Sequence, residues 1–378
     1  MLKVLAVGMT GGIGGVETFM TNLYQYIDHQ EVHMDFLVHE EIAPHYTEII
    51  KQYGDGEIYR VTGIKKNPLR YIKEIAKFYG SHQYDIIHLN ECGASYCIYI
   101  LPVFFQQTTK LIVHSHNGNS NRSRSHRIFR MIQNCRVDAQ WTCSDLAAEW
   151  MFGKKRIRKY GCMMIHNGIA IDNYVFSEES RKKKRNELDL PEECIVLGSI
   201  ARFEEQKNHK KIVDIFNEFH RLNPNSVLLL VGQGRLMKEI QDKVNTLGLN
   251  DSVRFLGVRN DVGELLQAMD VFLLPSLYEG LPFVAIESQA ASLPMVVSKA
   301  VSDQISITDL IYRVDLEAEN CIWVGAINDA LSNTCRNNAK YAQILRENGY
   351  DIRNTANVVL QQYKTIVNGV TDQKECNQ

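Results

Sequence analysis

The sequence predicts an α/β protein built on parallel sheets covered on both faces. Short, continuous apolar runs rich in β-branched residues recur along the whole chain. Most are bounded by Gly, Asn, Asp, Ser or Pro, and most stretches between them carry helical periodicity. Unbroken apolar strands alternating with helices belong to parallel sheets, whose strands are buried on both sides.

In chain order the first group of strands is Val4–Val7, Phe36–Val38, Ile86–Leu89, Leu111–Val113 and Met163–Ile165. The second is Ile195–Ile200, Val227–Val231, Val253–Leu256, Val271–Leu274 and Met295–Val297. Phe19, Leu23, Tyr26 and Ile27 give the helix after the first strand its apolar side. Between the groups, Asp172 to Pro191 contains the charge run Arg181-Lys182-Lys183-Lys184-Arg185 and ends at a proline before a fresh strand-turn-helix unit. Two similar Rossmann-like halves follow from this division, residues 1–172 and 191–351, joined by a linker at 173–190. The last segment, 352–370, places Ala356, Val359, Leu360, Tyr363, Ile366 and Val367 at helical spacing and reads as an amphipathic helix.

Composition narrows the function by exclusion. With 378 residues, 45% hydrophobic and 23% charged, the chain has the make-up of a soluble globular protein of two domains. A formal net charge of −2 offers no basic excess for nucleic acid. The nine cysteines show no C-x-x-C pair, so they read as reduced thiols in a cytoplasmic protein rather than as disulfides or a zinc site. Strand residues begin at once, leaving no room for a signal peptide, and the longest apolar run, Cys97–Phe105, falls short of the ~20 residues that span a bilayer. The expected location is the cytoplasm, free or peripheral on the inner face of the membrane.

Three constellations carry chemistry. Gly11-Gly12-Ile13-Gly14-Gly15-Val16-Glu17 follows the first strand and opens a helix, where glycines let backbone N–H groups approach a phosphate or a sugar. A plain tight turn would use the same residues. The spacing is not that of a dinucleotide fingerprint, so a dehydrogenase reading fails. Arg202 and Lys207 stand at the C-terminal end of strand Ile195–Ile200, where α/β proteins bind ligands, and a guanidinium with an ammonium suits a diphosphate. A solvated charged loop is the other reading of that pair. The run Pro275 to Glu287 follows strand Val271–Leu274 and leads into a helix, with Glu279 in the loop beside the free backbone N–H groups near Gly280 to Phe283, and Glu287 inside the helix. Glu287 is placed to accept from ribose hydroxyls, and Glu279 to bind sugar hydroxyls or stabilise positive charge.

These motifs, with Ser115-His116, Asn167-Gly168-Ile169 and Val231-Gly232-Gln233-Gly234, resemble the GT-B glycosyltransferases of family 4 over essentially the full length. Glu279 and Glu287 match that family's E-x₇-E signature. The resemblance implies two Rossmann-like domains facing each other across a cleft, with a nucleotide-sugar donor on the C-terminal half and the acceptor on the N-terminal half. It assigns Arg202 and Lys207 to the donor diphosphate, Glu287 to the ribose, and Glu279 with Gly280, Leu281, Pro282 and Phe283 to the donor sugar. Gly232 is placed in the donor site, Gly14 and Gly15 approach the diphosphate, and His116 lies by the transferred sugar and acceptor. The terminal helix is expected to return to the N-terminal domain.

The sequence is closer to bacterial exopolysaccharide and capsule transferases than to the sucrose or starch enzymes. The implied reaction is retaining transfer of a hexose or related sugar, with UDP the preferred carrier. The implied acceptor is a saccharide or a polyprenyl-diphosphate-linked one. No D-x-D stands in a donor-site context, so neither a metal nor another cofactor is expected. A front-face attack, with the leaving phosphate helping to deprotonate the acceptor, accords with the lack of a nucleophile–base pair.

Ser292 stands where relatives often carry Gly, a departure expected to bear on packing. His114 and His116 are read as facing opposite sides of the sheet, His114 as a core hydrogen-bonder, and His88 and His166 as structural. Tryptophans 141, 150 and 323 are read as packing. The basic runs Arg122-Arg124-Arg127-Arg130 and Lys154-Lys155-Arg156-Arg158-Lys159 are either solvated helix faces or a patch for anionic headgroups. Two rival functions share the motifs: a nucleotide-sugar epimerase of GT-B-like fold, and a non-catalytic nucleotide-sugar-binding partner subunit.

Overall fold

The computed structural model describes residues 1–105, 108–117, 124–333, 336 and 339–369, without the side chains of Arg124, Ser125 and Asn333. Arg122, residue 370 and two of the nine cysteines, Cys335 and Cys376, lie outside them. The chain divides into two compact units, one holding Met1–Gly168 with the last helix, the other Ile169–Tyr350.

The first unit runs β1 (Leu2–Val7), α1 (Gly15–Tyr26), β2 (Val32–Val38), α2 (Pro44–Tyr53), β3 (Ile58–Arg60), α3 (Pro68–Ser81) and β4 (Ile86–Glu91). A 3₁₀ stretch, Ala94–Phe105, leads to β5 (Lys110–Ser115), α4 (Arg124–Asn134), β6 (Ala139–Thr142), α5 (Asp145–Met151), α6 (Lys154–Tyr160) and β7 (Met163–Met164). Its seven strands lie in the order β3-β2-β1-β4-β5-β6-β7, all neighbours parallel. The second unit opens with a 3₁₀ turn, Ile171–Asn173, then α7 (Glu178–Glu187), β8 (Ile195–Ile200), α8 (His209–Leu222), β9 (Ser226–Val231), α9 (Met237–Thr246) and β10 (Val253–Gly257). It continues with α10 (Val262–Ala268), β11 (Val271–Leu274), α11 (Phe283–Ala290), β12 (Met295–Ser298), β13 (Ile311–Val314), α12 (Asn320–Asn333) and α13 (Lys340–Glu347). Its six strands follow β10-β9-β8-β11-β12-β13, again all parallel. The final helix, α14 (Ile352–Asn368), is part of the first unit.

Each sheet reverses its strand order once, between β1 and β4 and between β8 and β11. At such a reversal the connections leave to opposite faces, and the loops after the two central strands diverge to form a crevice for ligands. The strands reach that point as buried apolar ladders. Leu5, Val7, Leu37, Leu89 and Val113 share one core, and Leu197, Leu228, Leu230, Val271 and Leu273 share the other with Phe216, Phe219 and Trp323. Trp141 is buried and stacks on Tyr363 of α14, while Trp150 stacks on His126. Gly168 has to be glycine because a Cβ there would lie 2.4 Å from Thr355 Oγ1 and 2.9 Å from Ile352 Cα.

The segment 173–190 is not the linker expected above. Most of it is α7, packed within the second unit, and its basic residues are anchors rather than a solvated run. Asp270, ahead of β11, receives Arg181 Nη2 at 2.6 Å, Arg185 Nη2 at 2.7 Å and the amide of Val196 at 2.8 Å. Arg185 also donates to the carbonyls of Ala268, Glu192 and Cys194, and is 4% exposed. Lys184 is buried among Asp261, Glu187 and Glu264. Charge density in the sequence resembled a linker; complementary acids turned it into a clamp. Ser292 adopts φ +53°, the left-handed conformation that glycine takes without strain, at the end of α11.

Asp270→Asn keeps the size of the side chain but leaves two guanidinium groups without their counter-charge. Removing one partner of a buried ion pair strands the other, so urea denaturation is expected to show a loss of about 3 kcal/mol. A loss within experimental error would mean the clamp adds nothing to stability.

Candidate active site

In the second unit the predicted donor residues gather at the β8/β11 reversal. The loop after β8 carries Arg202 and Lys207, and the loop after β11 carries Glu279. The two loops are laced together: Leu277 N donates to Gln206 O at 2.8 Å, Gln206 Nε2 to Tyr278 O at 2.9 Å, and Asn208 Nδ2 to Pro275 O at 3.2 Å. Lys207 Nζ is hydrogen-bonded to Glu279 Oε1, an ion pair between side chains that are 15% and 9% exposed. Arg202 is exposed, and among the described residues its guanidinium has no hydrogen-bond or ion-pair partner. The site therefore presents one unengaged cation and one held in place by a carboxylate.

Glu279 is fixed through its backbone by a segment to which the sequence assigned nothing. It forms a parallel bridge with Val301, its carbonyl accepts from Ser302 N at 3.0 Å, and Arg313 secures the carbonyls of Val301 and Ser302. Just beyond it, Gly280, Leu281 and Phe283 are buried, and Pro282 is the residue preceding α11. Pro282 has no side-chain acceptor for the helix, and the first turn of α11 holds no acid. Among the described residues no backbone or capping acceptor takes the amides of Phe283 and Val284, and a helix end of this kind favours an anion. Gly232, at φ +132°, closes the loop after β9 against β8: a Cβ would lie 2.2 Å from Ala201 O. Its role is to let these two loops touch, which seats Arg202.

Glu287, one turn into α11, is 8% exposed and accepts from Tyr174 Oη at 3.0 Å. Burial pushes its carboxyl up to about 7, against a smaller downward pull from the tyrosine hydrogen bond. Among the described residues the acids close enough to share a metal are Glu187, Asp261 and Glu264, and Lys184 and Arg259 already neutralise them.

In the first unit Gly14 caps α1 and Gly15 begins it. Glu17 folds back so that its Oε1 accepts from Thr10 N at 2.8 Å and Thr10 Oγ1 at 2.7 Å, and a Cβ on Gly14 would meet Glu17 Oε2 at 2.9 Å. The loop is braced by its own acid, which sits at the positive end of the helix.

His114 and His116 do not face opposite sides. Their ring centroids are 4.0 Å apart on one face, because residues two apart on a strand point the same way and the expectation misapplied that period. His88 completes the cluster, with Nδ1 2.7 Å from Tyr363 Oη and Nε2 3.3 Å from His114 Nδ1. His116 Nε2 lies 2.9 Å from Asn90 Oδ1, and Asn90 Nδ2 donates to His88 O at 3.1 Å. Burial drives the His88 and His116 imidazoles down to about 3, and His114 well below its ordinary value. Asn90 was missed because nothing in a lone asparagine at a strand end marks it. Tyr174 was missed because it falls in the stretch read as linker.

Comparison with known proteins settles what these parts belong to. Residues 13–173 match the profile described as Glycosyltransferase Family 4, and residues 180–310 that described as Glycosyl transferases group 1. The chain is a family 4 glycosyltransferase. The transferase is 26% identical to the EpsF protein of Bacillus subtilis (strain 168) over 365 residues, 93% of each chain. It is 33% identical over 138 residues, 36% of each chain, to the UDP-Gal:alpha-D-GlcNAc-diphosphoundecaprenol alpha-1,3-galactosyltransferase of Escherichia coli. Its fold matches that of Anabaena HepE, solved with UDP and glucose, at a TM-score of 0.80 and 19% identity, covering 97% of this chain and 100% of that one. The transferase has the GT-B fold, two Rossmann-like domains. No helix among its described residues is long and apolar enough to cross a membrane.

The buried Glu287 links stability to pH. Its folded value of about 7 lies above the ordinary 4.5, so folding takes up a proton in between. Stability is therefore greatest below about 4.5 and declines as pH rises through 7. Glu287→Gln is expected to stabilise the ligand-free transferase by up to about 3 kcal/mol at pH 8 and negligibly at pH 4. Urea denaturation at both pH values checks this, and an equal effect at both would refute the assignment of the shift.

Proposed function

We propose that this glycosyltransferase is retaining, needs no metal ion, and moves a hexose or related sugar from UDP to a saccharide or lipid-linked acceptor in surface-polysaccharide synthesis. The observation that carries the reading is the gathering of Arg202, Lys207, Glu279 and the uncapped start of α11 at the β8/β11 reversal. Departure of a nucleoside diphosphate builds negative charge on its β-phosphate. Arg202, Lys207 and the α11 amides meet that charge where it develops, the task a divalent cation performs in other transferases. Lys207 turns from Glu279 to the phosphate, and the released carboxylate accepts from hydroxyls of the donor sugar.

Glu287 receives the ribose. The leaving phosphate takes the acceptor's proton on the face it departs from, which retains configuration without a covalent nucleophile. Gly14, Gly15 and His116 are assigned to the same reaction from the first unit, Gly14 and Gly15 towards the diphosphate and His116 towards the sugar and acceptor. UDP is favoured by the ligand of HepE and by the donor in the E. coli relative's name, whose acceptor is a diphosphoundecaprenol-linked sugar.

Arg202→Ala and Lys207→Ala are each expected to cut turnover by about a hundredfold or more with the melting curve preserved. UDP is expected to raise the melting temperature more than GDP or ADP, unchanged by EDTA. Near-normal turnover in both variants would overturn the donor site, and loss of the UDP response in EDTA would overturn metal independence.

The reading extends to an anionic membrane as a peripheral partner. In the first unit α1 and α2 connect strands stepping one way along the sheet, while α3, the 3₁₀ stretch, α4, α5 and α6 step the other way. Right-handed crossovers put the two sets on opposite faces. The second layer exposes Leu69 (82%), Phe105 (90%), Ile128 (59%) and Met131 (67%), and α6 adds Lys154, Lys155, Arg158 and Lys159 with no residue buried. Apolar side chains among basic ones suit a headgroup layer, each base near it adding roughly 1 kcal/mol. Of the basic run before α5, Arg130 is engaged with Trp150 O and Arg127 is exposed. Sedimentation with phosphatidylglycerol vesicles but not with phosphatidylcholine vesicles is expected, weakened about tenfold by Ile128→Ser with Met131→Ser. Indifference to both vesicles would exclude the membrane.

A further inference from the structure

Glu287 offers its two oxygens unequally. Oε1 is held by the Tyr174 hydroxyl at 3.0 Å, the one hydrogen bond to this carboxylate among the described residues. Oε2 has no protein partner, yet it is not among the buried polar atoms that lack one, so it opens to solvent. An unheld glutamate on a helix would rotate about its terminal torsion, and a single hydrogen bond to one oxygen sets the carboxylate plane and so the direction of the other.

Tyr174 is itself seated with care. Its amide donates to Ile171 O at 3.0 Å, its carbonyl accepts from Gln267 Nε2 at 2.9 Å, and Gln267 Oε1 takes the amide of Ser177 at 3.1 Å. Gln267 is 3% exposed on α10. Asn173 O passes Gly263 so closely that a Cβ there would lie 2.9 Å away. The ring therefore bridges from a backbone fixed on α10 to a carboxylate on α11.

We infer that Tyr174 is a positioning residue for donor recognition, holding Glu287 Oε1 so that Oε2 is aimed at the ribose hydroxyls. The inference rests on Glu287 being the ribose acceptor. Discrimination between a ribose and a deoxyribose then depends on the tyrosine hydroxyl as well as on the glutamate, because the hydroxyl acts through the carboxylate it holds. Without it the carboxylate is free to turn, and the penalty for a missing sugar hydroxyl shrinks.

Calorimetric titration of UDP, 2′-deoxy-UDP and 3′-deoxy-UDP into the full-length protein separates the cases. The unmodified protein is expected to prefer UDP over the weaker deoxy analogue by about tenfold or more, since a site built to bond a hydroxyl rejects the ligand that lacks it. Tyr174→Phe, which keeps the ring, is expected to reduce that ratio at least about threefold through weaker UDP binding. Glu287→Gln is expected to reduce it as well. Adding Tyr174→Phe to Glu287→Gln should then change the ratio no further, because the hydroxyl acts through the carboxylate.

A Tyr174→Phe ratio equal to that of the unmodified protein, or independent effects in the double variant, overturns the positioning role while leaving Glu287 in place. An unchanged ratio in Glu287→Gln overturns the ribose assignment and the inference with it. Should Tyr174→Phe fail to fold, Gln267→Leu removes the seat of the tyrosine and carries the same expectation.

Discussion

The reversal of strand order between β8 and β11 is the constraint on which the proposed donor residues depend. Parallel strands force every connection over a face of the sheet, and the direction of stepping decides which face. Where stepping reverses, two adjacent strands send their chains apart, and polar side chains on those loops meet without any helix covering them. Arg202 and Lys207 leave β8, Glu279 leaves β11, and Gln206 and Asn208 tie the two loops by bonds to backbone carbonyls. The cations are thus located by the sheet and not by one another. The same reversal in the first unit brings the glycine loop after β1 beside Asn90 at the end of β4.

Within that frame the ligand-free site keeps its charges partly self-compensated. Lys207 and Glu279 neutralise each other, while Arg202 on the same loop remains exposed. A cation left unpaired at this depth would be poorly solvated, and a carboxylate alone would repel a diphosphate. Paired, the two can separate towards two parts of one ligand, phosphate and sugar, that carry complementary groups. Glu287 is treated differently: burial without a cation raises its proton affinity, and only a tyrosine hydroxyl offsets that. The site thereby contains one carboxylate held in an ion pair and one buried without a cation, whose proton affinity desolvation raises.

Much of this was legible in the residues. Ten strands could be read because each is a run of apolar residues, and the parallel class followed from their continuity. The strands that escaped, β3, β6 and β13, read Ile-Tyr-Arg, Ala-Gln-Trp-Thr and Ile-Tyr-Arg-Val. β3 and β13 are sheet edges, where one side faces water and polar residues are tolerated, so no apolar run marks them. The donor motifs were visible because glycines, cations and acids stand just past strand ends. The bracing was not visible: Asp270 clamping α7, Val301 bridging Glu279 and Tyr174 bonding Glu287 are contacts across 22 to 113 positions of sequence. Local pattern carries no information about such partners.

The histidine cluster shows how environment, more than residue type, fixes a role. Asn90 donates its amide to His88 O, which leaves its oxygen to accept, so the facing His116 Nε2 must carry the hydrogen. Nδ1 then bears the lone pair, and that atom is buried without a partner. Its proton affinity is held near pH 3 by burial and by no acid, since no carboxylate acts on it. An imidazole in that state is a poor base at neutral pH, whatever its place in the chain. His116 is suited to donate or to pack, not to collect a proton, and a transfer in which the departing phosphate takes the acceptor's proton asks nothing more of it.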